Sequence, residues 1–130
     1  MIVIQREVVE NLVQKYEQAW EQQDAEGILE IFTKDALYYE RIFEEPFRGH
    51  SGIKAYWKNK VVKQQKNINF KLLALYIDGD SAIAEWEVQF DDILQKVRKH
   101  MREVAILEIK NNKIASLREY WTSKIIKESD

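Results

Sequence analysis

Between Gln5 and Gln23 the apolar residues Val8, Val9, Leu12, Val13, Tyr16, Ala19 and Trp20 return every three or four positions, with Glu, Gln and Lys between them. That period predicts an amphipathic helix. Asp24 stands where an N-cap begins a second helix, whose buried stripe is Ile28, Leu29, Ile31 and Phe32 and which ends at Lys34-Asp35. Ala36 to Arg41 follows as a short strand. Its alternation puts Tyr38 and Glu40 on one face and Tyr39 and Arg41 on the other. A loop through Glu44, Glu45 and Pro46 then leads to a third helix starting near Gly49 or Ser51, which presents Ile53, Tyr56, Trp57 and Val61 at helical spacing.

Beyond Val62 the period changes to two. Asn69 to Ile77 predicts one strand, Asp78-Gly79 a hairpin turn, and Ser81 to Phe90 a return strand with Ala82, Ala84, Trp86, Val88 and Phe90 on one face. A third long strand runs from about Arg98 to Ile109. Asn111-Asn112 makes a second tight turn, and Ile114 to Trp121 or beyond closes the sheet. Helix, helix, strand, helix and a four-strand meander predict an α+β fold, a curved antiparallel sheet with the helices gathered on one face.

A chain of 130 residues is expected to be one domain spanning residues 1–130, removing roughly two-thirds of its unfolded surface from water. With no cysteine and only His50 and His100, neither disulfides, thiol catalysis nor a Cys/His zinc site is available, and no metal or cofactor is expected. A net charge of −2 argues against a nucleic-acid partner, although Lys96, Arg98, Lys99, His100 and Arg102 form a local basic run that reads as a solvated strand. No apolar run reaches the ~20 residues that cross a bilayer, and the N-terminus lacks the signature of a secretory signal, so no membrane association and a cytoplasmic location are expected.

The order of elements, Phe32-Thr33-Lys34-Asp35-Ala36 entering the first strand, Pro46 to Gly49 before the helix, Ile53 to Trp57 within it and Lys113-Ile114 opening the last strand together resemble the nuclear transport factor 2-like superfamily, and within it the SnoaL-like proteins. The resemblance extends from about Val8 to Trp121. It implies a cone-shaped curved antiparallel sheet wrapped on three N-terminal helices, with an apolar cavity at the open end. Members include isomerases, cyclases, dehydratases, epoxide hydrolases and domains that only bind, so fold does not give function. Homodimerisation through the sheet is what many relatives imply.

Ketosteroid isomerase is the informative comparison. When its first-helix tyrosine is laid on Tyr16, its catalytic base falls on Glu40 without a gap, whereas the position of its protonated oxyanion donor is Ala105. Glu103, two residues away on the same face, lies a pleat of about 6.6 Å from that position and is not a simple substitute. SnoaL-like cyclases place an acid/base carboxylate near the last strand, where Glu119 points inward if Leu117 and Trp121 do.

Glu40, Tyr16 and Glu119 are therefore the candidate catalytic residues. Desolvation next to an apolar cavity raises a carboxyl into the range of proton exchange near neutrality, and a buried phenol can donate to an oxyanion. Each has a structural alternative: an ion pair of Glu40 with Arg41 or Arg48, a strand salt bridge for Glu119, a hydroxyl of Tyr16 bonded to a neighbour. Trp20, Trp57, Trp86 and Trp121, from four elements, with Tyr38, Tyr56 and Phe90, read as the wall of a site for a flat, small apolar or aromatic ligand or, alternatively, as core. His50 is expected to bond a helix end or loop, and His100 to be exposed. Ile83, Ile106, Tyr120 and Ile125 on the outer sheet face suit association instead. Two functions stay open: small-molecule binding with isomerase, cyclase or hydrolase type chemistry at Glu40, or a non-catalytic homodimer.

Overall fold

The protein is seen here as a computed structural model that describes residues 4–128. Helix α1 spans Arg6–Gln22, and Gln23 ends it in the left-handed conformation. The predicted second helix is a single 3-10 turn, Gly27–Ile31. Its N-cap is Glu26, not Asp24, and Asp24 instead holds the turn before it, its Oδ1 accepting the Gly27 N–H at 2.9 Å. The 3-10 turn cannot lengthen, because Phe32 is already paired with Ile114 in the sheet. The described residues thus form two α-helices, not three. Strand β1 is Phe32–Tyr39, β2 is the two-residue Phe47–Arg48, and α2 is Gly49–Trp57, running into a π-turn over Lys58–Val62.

Four long strands follow, β3 Gln65–Asp78, β4 Ser81–Asp92, β5 Val97–Lys110 and β6 Lys113–Glu128. The two tight turns form as expected, the first one residue later. Gly79 carries φ 63° and pairs Asp78 with Ser81, while Asn111 and Asn112 both take positive φ, the twist that two-residue hairpins need. The sheet order is β2-β1-β6-β5-β4-β3. It is not wholly antiparallel: β1 and β6 run parallel, because the chain leaves β1 for the far edge of the sheet and meanders back to it.

One face of the sheet wraps the helices. Ala84, Trp86, Val88, Ala105, Leu107 and Leu117 close on Val9, Val13 and Tyr16 of α1 and Ile53 and Trp57 of α2, all buried. Each such large apolar side chain contributes about 1.5–3 kcal/mol. The other face is polar, and the basic run of β5 is matched there by acids of β4, Arg98 with Asp91 at 3.0 Å, His100 with Glu87 at 3.0 Å and Arg102 with Glu85 and Glu87, while Lys99 pairs with Asp92 at 3.1 Å on the inner face. His100 is therefore half-buried in an ion ladder, not exposed. His50 Nε2 bonds the Phe32 carbonyl oxygen at 3.0 Å, tying α2 to β1. No helix among the described residues is long and apolar enough to cross a membrane.

Candidate functional site

The open end of the wrapped sheet holds a cavity of about 60 Å3. Tyr16 and Trp20 of α1, Tyr38 of β1, Glu40 just past its end, Tyr56 and Trp57 of α2 and Phe90 of β4 line it together with Glu119 and Trp121 of β6. All three candidate catalytic residues and six of the seven candidate wall residues thus meet in one place. The volume holds a few small groups; sites for drug-sized ligands run to about 300–1,000 Å3.

Trp86 is the exception, since it does not line the cavity. Its ring lies behind Tyr16 at a centroid separation of 5.0 Å and against Phe70 at 5.2 Å, so the Tyr16 ring separates it from the open space. The other three indoles differ in kind. Trp20 donates to the buried Gln65 Oε1 at 2.9 Å and Trp121 to the Glu40 carbonyl oxygen at 3.0 Å, whereas Trp57 Nε1 has no partner among the described residues.

At the floor, Glu119 Oε1 accepts hydrogen bonds from Tyr38 at 2.5 Å and Tyr16 at 3.1 Å, and the two hydroxyls lie 2.9 Å apart. Alternation on β6 is what aims Glu119 inward, between buried Leu117 and half-buried Trp121, with Tyr120 exposed. The strand salt bridge weighed for Glu119 does not form. Burial pushes its carboxyl up to about 8, against the hydrogen bonds from Tyr38 and Tyr16, with the charge of Glu40 adding to the rise. Burial, and after it the charge of Glu119, carries the hydroxyls of Tyr16, Tyr38 and Tyr56 well above the usual phenol range, so all three stay donors.

Glu40 takes the other weighed form. Its carboxylate pairs with Arg41 Nε at 3.2 Å and is largely shielded, while Arg48 pairs instead with Glu45. Arg41 in turn covers the Trp121 ring at 5.1 Å, so Glu40, Arg41 and Trp121 interlock at the mouth. On the far side of this trio lies a shallow groove of about 330 Å3, bounded by Glu40, Arg41, Ile42, Glu119, Tyr120 and Trp121. It opens where β1 leaves β6, the last paired residues being Tyr39 and Arg118.

One residue was passed over. Glu103 of β5 is 1 % exposed, opposite Trp86 on β4 and Trp121 on β6, and neither of its oxygens completes a hydrogen bond of ordinary geometry. Burial first, then the charge of Glu119, pushes it well above the usual carboxyl range. The signal was present in the alternation, which sets Glu103 between Met101 and Ala105 on the buried face. Across the β5–β6 ladder Glu119 stands directly opposite Ala105. Lys60, Gln65, Asp92, Lys99, Met101 and Ser123 complete the lining.

The SnoaL-like domain family matches residues 13–117. No curated protein matches the chain. Among solved structures, the epoxide hydrolase/cyclase-like enzyme SalBIII, described in pyran ring formation in the polyether salinomycin, is similar with a TM-score of 0.79 and 20% identity, over 94% of this chain and 99% of that one. A hypothetical protein with a ketosteroid isomerase-like fold from Catenulispora acidiphila, solved with trimethylamine, gives 0.75 and 16% over 84% and 83%. An M. tuberculosis epoxide hydrolase gives 0.73 and 15% over 89% and 84%. At these identities the likeness concerns the fold.

Proposed function

The chain belongs to the SnoaL-like domain family, and from that premise we propose that it binds a small, largely apolar or aromatic molecule in the cone cavity and carries out acid/base chemistry on it. The observation that carries this reading is the pairing, across one cavity, of Glu40 at the mouth with a buried Glu119 held by two phenols and no cation. A carboxyl that titrates at about 8 is largely neutral at pH 7 and can give a proton, while Glu40 takes one. Acid and base on opposite sides of a ligand serve isomerase, cyclase or hydrolase type reactions alike. In ketosteroid isomerase terms Ala105 leaves the oxyanion position empty of acid, and Glu119 supplies one from the facing strand. The ligand's polar end occupies the inner cavity and its apolar body the groove beside Trp121.

The test uses Trp20, Trp57 and Trp121 as reporters. A panel of flat aromatic ketones, epoxides and alcohols is titrated against intrinsic fluorescence, and turnover is followed for compounds that bind. Glu40→Gln is expected to keep binding within a few-fold and to cut turnover by about 100-fold or more. If turnover is unchanged in Glu40→Gln while Glu40→Ala only loses stability, Glu40 is structural.

A second reading, association without catalysis, is favoured by Leu73, Tyr76, Ile83 and Tyr120, which stand at least a third exposed on the sheet, whereas Ile125, paired with the cavity-lining Lys99, lies on the inner face. A homodimer through the outer face is expected to sediment as a dimer at micromolar concentration; a monomer there removes this reading.

A further inference from the structure

The least ordinary group in the molecule is the Glu103 carboxyl, and nothing in the proposed reaction uses it. Four facts fix what it can be. It is buried in the middle of the sheet, 1 % exposed. The other buried polar or charged residues among those described are Gln65, Asp91, Asp92 and Glu119, so no buried cation can neutralise it. An ionised carboxylate without a cation in such a place costs several kcal/mol, and the group sheds that cost by keeping a proton. A neutral carboxyl must in turn donate, and the acceptor beside it is Glu119, whose Oε1 takes both tyrosines and whose Oε2 makes no other hydrogen bond among the described residues. The unpartnered Trp86 Nε1, directly across the β4–β5 ladder, is the donor that faces a Glu103 oxygen.

We propose that Glu103 is the positioning residue behind Glu119: it stays protonated through the neutral range, donates that proton to Glu119 in a hydrogen bond, and leaves Glu119 as the one group of the cavity floor that exchanges a proton. The chain Trp86 N–H, Glu103, Glu119 then continues to Tyr38 and Tyr16, each member donating towards Glu119. The other titratable groups around the pair are Tyr56 on α2, a donor, and Glu40 past β1, which is paired with Arg41. At the rim, Lys99 is paired with Asp92, and Lys60 lies beside the same carboxylate. This arrangement deepens the acid/base reading and rests on it for its use, but its test needs no ligand, so the two can fail separately.

The experiment follows the side-chain carboxyl carbons of 13C-glutamate-labelled protein by NMR against pH. In the unaltered chain the Glu103 carbon is expected to show no titration while Glu119 titrates near 8. Glu103→Gln preserves both a donor to Glu119 and an acceptor for Trp86, so the Glu119 midpoint is expected to move by less than about half a unit, a three-fold change in proton affinity. Glu103→Leu removes the donor, and the midpoint is expected to rise by about one unit, a ten-fold change. A Glu103 carbon titrating below Glu119, or a Glu103→Gln protein whose Glu119 midpoint falls ten-fold in proton affinity, overturns the inference, because either shows an ionised Glu103 repelling its neighbour. Should Glu103→Leu fail to fold, the unaltered protein and Glu103→Gln decide the matter.

Discussion

Urea unfolding of this protein is expected to become easier as the pH is raised from about 5 to about 8, with roughly 4 kcal/mol of the loss across that window coming from Glu119. The two causes are Glu119 and, beside it, Glu103. The Glu119 carboxyl has an ordinary value of 4.5 and is pushed up to about 8 in the fold by burial. Below 4.5 both folded and unfolded chains hold the proton. Between the two values the folded chain holds it and the unfolded chain has released it, so each pH unit costs about 1.4 kcal/mol. Above 8 the loss is complete for this group, and Glu103, pushed well above the usual carboxyl range by burial first and then by the charge of Glu119, adds a loss of the same sign. Asp91 works the other way: its hydrogen bonds from Asn67 and Arg98 hold it below 3.8, so its contribution is lost only in stronger acid. Maximum stability is expected near pH 4–5, an unusually acidic optimum. Glu119→Gln is expected to remove this group's share of the slope between 5 and 8, leaving that of Glu103 and the acid limb in place. A stability that is constant over that range in the unaltered protein would mean that Glu119 ionises normally in the fold.

Trp86→Ala is expected to cost about 3–5 kcal/mol, among the largest losses available from a single side chain here. The indole is 1 % exposed and packs between Tyr16 and Phe70. Its removal leaves a void next to Glu103 that the rigid ladder of β4 and β5 cannot close. Trp121→Ala is the control. That ring is half-buried at the mouth, where water can fill the space, and its loss is expected to cost about 1–2 kcal/mol. Equilibrium unfolding of the two variants reads the difference directly. If Trp86→Ala costs no more than Trp121→Ala, the ring behind Tyr16 is not packed as the core requires.

The long elements were legible in the sequence because each has one apolar face with an unbroken period. Val9, Leu12, Val13, Tyr16 and Trp20 lie buried on α1, and Ala82 to Phe90 alternate on β4 as their spacing demands. The short elements were not. Ile28, Leu29, Ile31 and Phe32 carry a helical stripe, yet Phe32 is held in β1 by its pairing with Ile114, more than eighty residues away in the chain. Phe47 and Arg48 look like loop, and become strand only because Leu37 and Tyr38 lie opposite them. At the site, the inward face of β6 located Glu119 and the alternation of β1 located Tyr38. The choice between Arg41 and Arg48 as the partner of Glu40 depended on the loop geometry that gives Arg48 to Glu45. Glu103 was misjudged on distance measured along its own strand. The relation that matters runs across strands, where register sets it diagonal to Glu119, and register is not written in any one segment.

The ladder between β1 and β6 stops at Tyr39 and Arg118, one residue before Glu119. The acid is thus anchored on one flank by β5, through Ala105, and borders on the other the loop that follows Glu40 and Arg41, residues 42–46, in which Phe43 is fully exposed. Proton chemistry and ligand preference are therefore carried by separable parts of the chain. The floor is locked into the sheet, where a change disturbs the fold, while the wall beside it is a stretch that can be lengthened, shortened or rewritten with little cost to stability. A scaffold divided in that way can be turned to a new ligand by exchanging one loop, without rebuilding the carboxyl pair beneath it.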